Sequence, residues 1–482
     1  MMTVQQAFAL AVQHHQAGRL AEAETIYRQI LAAQPNHPGA LHFLGVLSHH
    51  AGQSEVAVEL IRRALTLAPR NAAAYSNLGE AYRALDRFDE AAEAYRQAIQ
   101  LDPTLADAHN NLAILLGRSG RFAEAVVGYR RALELRPTYA EAASNLGTAL
   151  LELAELEEAE AVTRRALELR PDYNDAKFNL GFIRLLRGDF QNGWPLYESR
   201  REVFQATAMK LGRPVWQGEP IRDRRILLYP EQGFGDAIQF VRYAELLAER
   251  GAVVIVGCPL ELVELLRNAK GVHEVVAAGE TLPPFDFYIP MLSQPLVFQT
   301  RWESIPRDVP YLFADPNRTA EWRRRLGARM GRRRIGLVWT GAPTNHRNRT
   351  RMIPLEKLAP LLSLKDVEFY SLQLGWGAEQ LRQLPEARAI IDHTAQIKDF
   401  TDTAAFITEL DLIISVDTAV AHLAGALGRP VWTLLQFVPD WRWHMEGKET
   451  PWYPTMRLFR QPALRDWDSV VRSVIAELDR TK

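Results

Sequence analysis

At 482 residues the chain is longer than one ordinary domain. A hydrophobic share of 47% and a charged share of 24% are those of a soluble globular protein, and a net charge of −1 gives no electrostatic reason for a nucleic-acid partner. The single cysteine, Cys258, excludes an internal disulfide; no apolar run approaches the ~20 residues of a membrane helix, and no basic segment followed by a long apolar run opens the chain, so the expected address is the cytoplasm.

The first two hundred residues repeat. Pro35, Pro69, Pro103, Pro137 and Pro171 are each 34 residues apart, and Leu44, Leu78, Leu112, Leu146 and Leu180 run in the same register. Gly18, Gly52, Asp86, Gly120, Ala154 and Gly188 mark the turns. One period holds two helices and a turn, with the proline closing the second helix. This is the tetratricopeptide signature, and it predicts about six helix pairs over residues 1–205. Neither helix of a pair buries its apolar face alone, so neighbours stack into a curved array with a concave face suited to a protein or peptide, and with surface for self-association.

Asn77, Asn111, Asn145 and Asn179 hold one place in four successive repeats. Asparagine is a mediocre residue inside a helix, so four in register want a reason. Stacked along a groove, their amides suit the backbone of an extended peptide. The pattern resembles the asparagine ladder of the eukaryotic O-GlcNAc transferase; the alternative is that the amides brace neighbouring repeats. The array ends with Trp194, Leu196 and Tyr197 on one side of a last helix, expected to cap it and dock it onto the C-terminal part of the chain. Gly212, Pro214, Gly218 and Pro220 mark residues 206–224 as a linker.

From residue 225 short apolar strands alternate with helical patterns. Strands are expected at Ile226–Tyr229, Val253–Val256, Val275–Val276 and Phe287–Ile289, with a helix through Phe240–Leu247, in a first half over residues 225–315. Residues 316–334 are polar and arginine-rich and read as a solvated connection. A second half, residues 335–482, offers strands at Ile335–Trp339, Val367–Leu372, Leu412–Ile414 and Val431–Leu434 and a closing amphipathic helix from Trp467 to Leu478. Two Rossmann-like halves imply a cleft at the carboxyl ends of their strands. Two turns lie at such ends: Gly233-Phe234-Gly235-Asp236, and Asp417-Thr418-Ala419 running into a helix whose free N–H groups suit a phosphate. Asp466-Trp467-Asp468 opens the final helix and reads as capping, so no metal site is expected.

Asp417-Thr418-Ala419-Val420-Ala421-His422-Leu423-Ala424 followed by Gly428-Arg429-Pro430 resembles the nucleotide-sugar half of the heptosyltransferase-like glycosyltransferases, carbohydrate-active family nine, and Gly235-Asp236 resembles that family's turn after its first strand. The combined order resembles bacterial fusions of a tetratricopeptide array with a glycosyltransferase, some of which modify flagellin. In these, blocks like Asp440-Trp441-Arg442-Trp443 and Pro451-Trp452-Tyr453-Pro454 recur. The resemblance implies an α-solenoid followed by a GT-B glycosyltransferase of two Rossmann-like domains, a nucleotide-sugar donor and no other cofactor. It implies Asp236 as the base that deprotonates an acceptor hydroxyl; the plainer reading is an N-cap. Gly233 and Gly235 allow close backbone approach.

The resemblance gives Thr418 and Ala419 to the diphosphate, Asp417 to the shape of the turn, and His422 either to the diphosphate or to bracing the loop. The family's glycine is Ala419 here. Arg347, Arg349 and Arg351 lie where the family keeps a Lys-Arg pair, and Arg351 falls nearest the lysine; an arginine there neutralises the leaving diphosphate. Gln373 is a candidate contact for base or ribose, and Trp441, Trp443 and Trp452 are candidates for stacking on sugar or base, or for packing. The function implied is transfer of a sugar to a Ser or Thr hydroxyl of a protein recruited by the array. The alternatives are transfer to a lipid-linked or surface glycan, and a scaffold whose transferase half has decayed.

Overall fold

The structure, a computed structural model, describes residues 2–204, 211–329, 331–341 and 348–481, without the side chains of residues 348 and 349. By packing, the chain divides into two compact units, Met1–Ala176 and Lys177–Lys482.

The first unit is built of helix pairs: Val4–Gln16 with Leu20–Ala33, Pro38–His50 with Ser54–Leu67, Ala72–Ala84 with Phe88–Leu101, Ala106–Arg118 with Phe122–Leu135, and Ala140–Glu152 with Leu156–Leu169. A sixth pair, Asn174–Leu186 with Phe190–Tyr197, begins in this unit and ends in the next. Every turn residue marked by the repeat, from Gly18 to Gly188, has a left-handed backbone, and this includes the non-glycines Asp86 (φ 56°) and Ala154 (φ 63°). That conformation reverses the chain between the two helices of a pair.

Small residues set how closely helices approach. Ala57, Ala91, Ala125 and Ala159, one per repeat, are fully buried. A Cβ built on Gly45 would lie 2.6 Å from Ile61, and one on Gly79 would lie 2.5 Å from Tyr95, so glycine at this register admits a bulky partner. In the repeat where the register holds Ala113, the glycine moves across to Gly128, whose own Cβ would lie 2.9 Å from that alanine.

The second unit carries two wholly parallel sheets. The first has the order β3-β2-β1-β4, with β1 Arg225–Tyr229, β2 Val253–Cys258, β3 Glu274–Ala277 and β4 Phe287–Pro290. The second has the order β10-β9-β8-β5-β6-β7, with β5 Arg333–Val338, β6 Val367–Ser371, β7 Ile390–Asp392, β8 Leu412–Val416, β9 Val431–Leu435 and β10 Met456–Arg460. The buried core beside the second sheet joins Leu337, Ile414 and Leu434 to Trp467, Val470, Val471 and Val474 of the closing helix Trp467–Arg480.

Three details differ from the sequence expectation. β7 and β10 were not expected: β7 has only three residues, and Arg457 and Arg460 interrupt the apolar pattern of the edge strand β10. The helix expected through Phe240–Leu247 is two, Phe234–Phe240 and Tyr243–Glu249. The arginine-rich connection is mostly exposed, as expected, but is anchored at a few points. Its helix Pro316–Leu326 is capped by Asp315, Arg323 grips Glu409, Arg329 meets Asp411 at 2.5 Å, and Trp322 is buried, stacked on Phe406. Arg334, buried at the start of β5, donates to the carbonyls of Leu326, Gly327 and Ala328.

Candidate active site

The two turns singled out in the sequence meet within the second unit. β1 ends at Tyr229, and Gly233 in extended conformation is the N-cap of the helix Phe234–Phe240. β8 ends at Val416, and Thr418, also extended, is the N-cap of the helix Ala419–Ala426. A Cβ built on Gly235 would sit 3.0 Å from His422 Cδ2 and 3.5 Å from Ala419 Cα. Any side chain at 235 would therefore press on the facing helix, and the glycine brings the two helix starts into contact.

Asp236 stands at this junction. It is the third residue of its helix, so the N-cap place belongs to Gly233, whose backbone hydrogen-bonds the Asp236 carboxylate. Its Oδ1 accepts from Arg442 Nη2 at 2.5 Å, and the side chain keeps 19% of its surface exposed. Burial pushes its carboxyl up from the ordinary value, against the pull of the Arg442 guanidinium.

Asp417 lies 3.9 Å from Arg351 Nη1 and 3.6 Å from His422 Nε2. Burial pushes its carboxyl up, with Arg351 opposing. Arg351 holds a second feature suited to an anion: its buried Nε has no hydrogen-bond partner among the described residues. Arg347 lies outside the described residues, as does the side chain of Arg349. Ser415 Oγ donates to the Val416 carbonyl at 2.6 Å and lies 2.9 Å from Thr418 Oγ1. The serine proton being spent, Thr418 donates inward to Ser415, and its hydroxyl turns acceptor lone pairs outward. What this turn offers an anion is backbone: no side chain caps the helix, so its first N–H groups have no intrahelical partner. Ala419 sits in ordinary helical backbone without positive φ, so its methyl costs the chain no strain.

His422 braces the turn. Its Nδ1 is 2.9 Å from Tyr453 Oη, Trp443 stacks on the ring at 5.5 Å, and the side chain is buried. Burial holds the imidazole well below its ordinary pKa, and Arg442, Arg351 and Arg242 push the same way, so the ring is neutral.

Three expectations are corrected. Gln373 does not reach outward: it is buried, its Oε1 accepts from the backbone of Trp339 and Thr340 at 3.1 Å each, and its Nε2 donates to the Trp376 carbonyl at 2.9 Å. Its amide is consumed in holding together the loops after β5 and β6. Trp441, Trp443 and Trp452 are not open platforms. All are 0–1% exposed, and Trp441 packs edge-on against Trp194 of the last repeat helix at 5.0 Å. The asparagine register is spent between repeats. Asn77 Nδ2 is 2.9 Å from His42 Nε2, Asn145 Nδ2 donates to Asn110 at 3.3 Å, and Asn111 donates to Glu80. Asn179 also makes an interaction. The first three bonds reach back about one repeat, which is the bracing alternative. Beside Asn110 and Asn145 the array has a groove of about 490 Å³, also lined by Asp107, Arg136, Tyr139 and Tyr173.

Arg442 is the residue that sequence reasoning missed. Besides Asp236 it binds Gln239 Oε1 at 2.5 Å and Asp440 Oδ1 at 2.8 Å, with its guanidinium 4.4 Å from the Trp441 ring. Its position between two tryptophans was the available signal, since an arginine so placed is commonly held against a ring. Among the described residues no group of three or more His, Cys, Asp and Glu side chains is placed to hold a metal ion, and no helix is long and apolar enough to cross a membrane. Asp466 caps the closing helix through Ser469, and Asp468 pairs with Lys357.

Comparison with known proteins places both parts. Tetratricopeptide repeat models match residues 14–78, 79–120 and 118–180, and the model of glycosyltransferase family 9 (heptosyltransferase) matches residues 368–452. The chain thus carries tetratricopeptide repeats in its N-terminal half and a glycosyltransferase family 9 segment, running from β6 to Trp452, near its C-terminus. Protein FlbA of Caulobacter vibrioides is 27% identical over 323 residues, covering 61% of this chain and 53% of FlbA, so the chain spans about half the length of that curated relative. Among solved structures, MamA is 26% identical and TTC0263, a tetratricopeptide protein of Thermus thermophilus, 27%. They cover 33% and 38% of this chain, and 94% and 100% of their own, at TM-scores of 0.31 and 0.32.

Proposed function

We propose that the chain is a GT-B glycosyltransferase that moves a sugar from a nucleotide-activated donor to the Ser or Thr hydroxyl of a protein recruited by the repeat array, with flagellin as one candidate acceptor. The observation that carries the reading is the meeting of the two turns: an ionisable carboxylate, Asp236, stands beside uncapped helix N–H groups and Arg351. Asp236 takes the proton of the acceptor hydroxyl. The hydroxyl oxygen bonds to the anomeric carbon as the bond from that carbon to the nucleotide breaks, and the electron pair leaves on the diphosphate. The backbone of residues 418–421 and the Arg351 guanidinium receive that charge. No metal enters this scheme.

Asp236→Asn tests it. Nucleotide release and sugar transfer to proteins of the source lysate, followed by mass spectrometry with UDP-, GDP-, ADP- and CMP-linked sugars, should fall on the order of a hundredfold or more with donor affinity kept. Full activity in the variant would remove Asp236 from the chemistry. The bracing role of the asparagine register favours a second reading, a lipid-linked or surface glycan acceptor, since it takes away the peptide ladder. Under that reading the mass shift appears on glycan and no protein is modified. The decayed-scaffold alternative rests on the Ala419 methyl beside the diphosphate site, and the absence of selective stabilisation by any nucleotide-sugar would favour it.

A further inference from the structure

Arg442 belongs to the segment after β9, on the second sheet, yet its side chain ends on the helix that follows β1, on the first. Three of its donors are committed: Nε to Gln239 Oε1, Nη1 to Asp440 Oδ1 and Nη2 to Asp236 Oδ1. The Trp441 ring lies 4.4 Å and the Phe240 ring 5.3 Å from the guanidinium carbon, so the plane of the fork is fixed by packing as well as by hydrogen bonds. Gln239 and Asp236 are both on the helix Phe234–Phe240, three residues apart and so on one face. One guanidinium edge therefore grips that face at two points. A backbone hydrogen bond at Gly233 is the carboxylate's other hold.

We infer that Arg442 is the positioning residue for Asp236: it pins Oδ1, so fixing where the carboxylate meets the acceptor hydroxyl, and with Asp440 sets how readily that carboxylate takes a proton. The inference rests on the reading of Asp236 as the base. The logic is that of a general base oriented by a third group. The bond holds the carboxylate against the guanidinium, and the arginine's positive charge opposes the burial that favours the neutral form. Asp440 tempers this. It shares the same guanidinium and adds a like charge near Asp236, which raises the carboxylate's affinity for a proton. The charged groups that act on Asp236 are Arg442, Asp440 and Arg351, all from the second half; on its own helix the gripping partner is the neutral Gln239.

The test is the titration of the Asp236 carboxyl itself, followed by carbon-13 NMR of aspartate-labelled full-length protein, its resonance being the one missing from Asp236→Asn. Arg442→Gln should move the midpoint up, by about one pH unit or more. Asp440→Asn, which keeps the Oδ1 acceptor for Arg442 while removing the like charge, should move it down. Shifts of opposite sign are not what loosened packing produces. Should Arg442→Gln fail to fold, the downward shift in Asp440→Asn still decides. An unmoved midpoint in Asp440→Asn, or one moved up, overturns the inference. The acid limb of nucleotide release from the sugar panel should move with each midpoint. Titration shifts of the expected sign without nucleotide release from any donor would leave Arg442 in its role and count against glycosyl transfer instead.

Discussion

In the repeat array Gly45, Gly79 and Gly147 each face the residue sixteen places on, Ile61, Tyr95 and Thr163; in the second unit Gly235 faces His422 and Ala419, far along the chain. Both kinds of glycine do the same work, removing a Cβ so that two helices can touch. In the array the contact is local and is made again every 34 residues. In the α/β unit it is made once, between segments that only the finished fold brings together. A repeated local contact leaves a periodic mark in the sequence, and a single long-range contact leaves none. The difference also predicts how damage spreads: the array distributes a fault over equivalent interfaces, whereas the second unit concentrates its cohesion in a few side chains.

Trp441 is the severest test of that concentration. It is fully buried and touches Trp194, Tyr197, Phe240, Trp452 and the Arg442 guanidinium, which come from the last repeat helix, the helix after β1 and the segment between β9 and β10. Trp441→Ala should cost about 3–5 kcal/mol in urea unfolding followed by near-ultraviolet circular dichroism. A loss below about 1 kcal/mol would mean the second unit is held together elsewhere.

A departure from repetition inside the array should be visible in acid. Asn77 and Asn145 each reach the residue 35 places back, His42 and Asn110; for Asn111 that place holds Ser76, and its amide goes to Glu80 instead. Only the first of these bonds is titratable near neutrality. Burial pulls His42 from 6.5 down to about 4, and the neighbouring His15 adds to the effect. The unfolded chain then binds the proton more readily than the folded one. Stability from this site is complete above pH 6.5 and is lost as pH falls toward 4, on the order of 3 kcal/mol in all. The urea midpoint of the first repeats should fall through that window, and His42→Gln, which can still meet Asn77, should flatten the fall. An equal fall in both chains would place the acid sensitivity at another group.

Gly79 tests the repeated contact itself. A methyl there would lie 2.5 Å from the Tyr95 ring, which is buried and tied to Glu80. Gly79→Ala should therefore destabilise by about 2 kcal/mol, despite alanine's better helix propensity. If the variant is as stable as the parent, the helices slide to accept a methyl and the glycine register is not a packing constraint.

The same contrast governs what could be read beforehand. Helix pairs, turn positions and most strands were legible because each rests on local periodicity or on an apolar run: the left-handed turn residues fell where the 34-residue register marked them. The two turns of the candidate site were legible as strand ends. Side-chain commitments were not. Gln373 looks free in sequence and is spent on the backbone of Trp339 and Thr340, and Trp441, Trp443 and Trp452 look like platforms and are core. Whether a polar or aromatic side chain faces solvent or a distant neighbour depends on long-range partners that no window of sequence contains. Arg442 escaped notice for that reason, since its partner Asp236 is on the other sheet's helix.

The smallest effect isolates the repeat's own backbone demand. Position 154 needs a left-handed residue, as Gly18, Gly52, Gly120 and Gly188 supply in other repeats, but it carries alanine at φ 63°. An L-residue with a Cβ pays roughly 1 kcal/mol or more for that conformation, and alanine has no side-chain hydrogen bond with which to recover any of it. Asp86, at φ 56°, has a polar side chain of the kind that tolerates this region better. Ala154→Gly should thus raise stability by about 1 kcal/mol, less the greater backbone entropy that glycine brings to the unfolded chain, and Asp86→Gly should raise it less. Thermal melts of the two variants beside the parent decide the order. A gain at 86 exceeding that at 154 would show that local hydrogen bonding, rather than the Cβ, sets the cost of the turn.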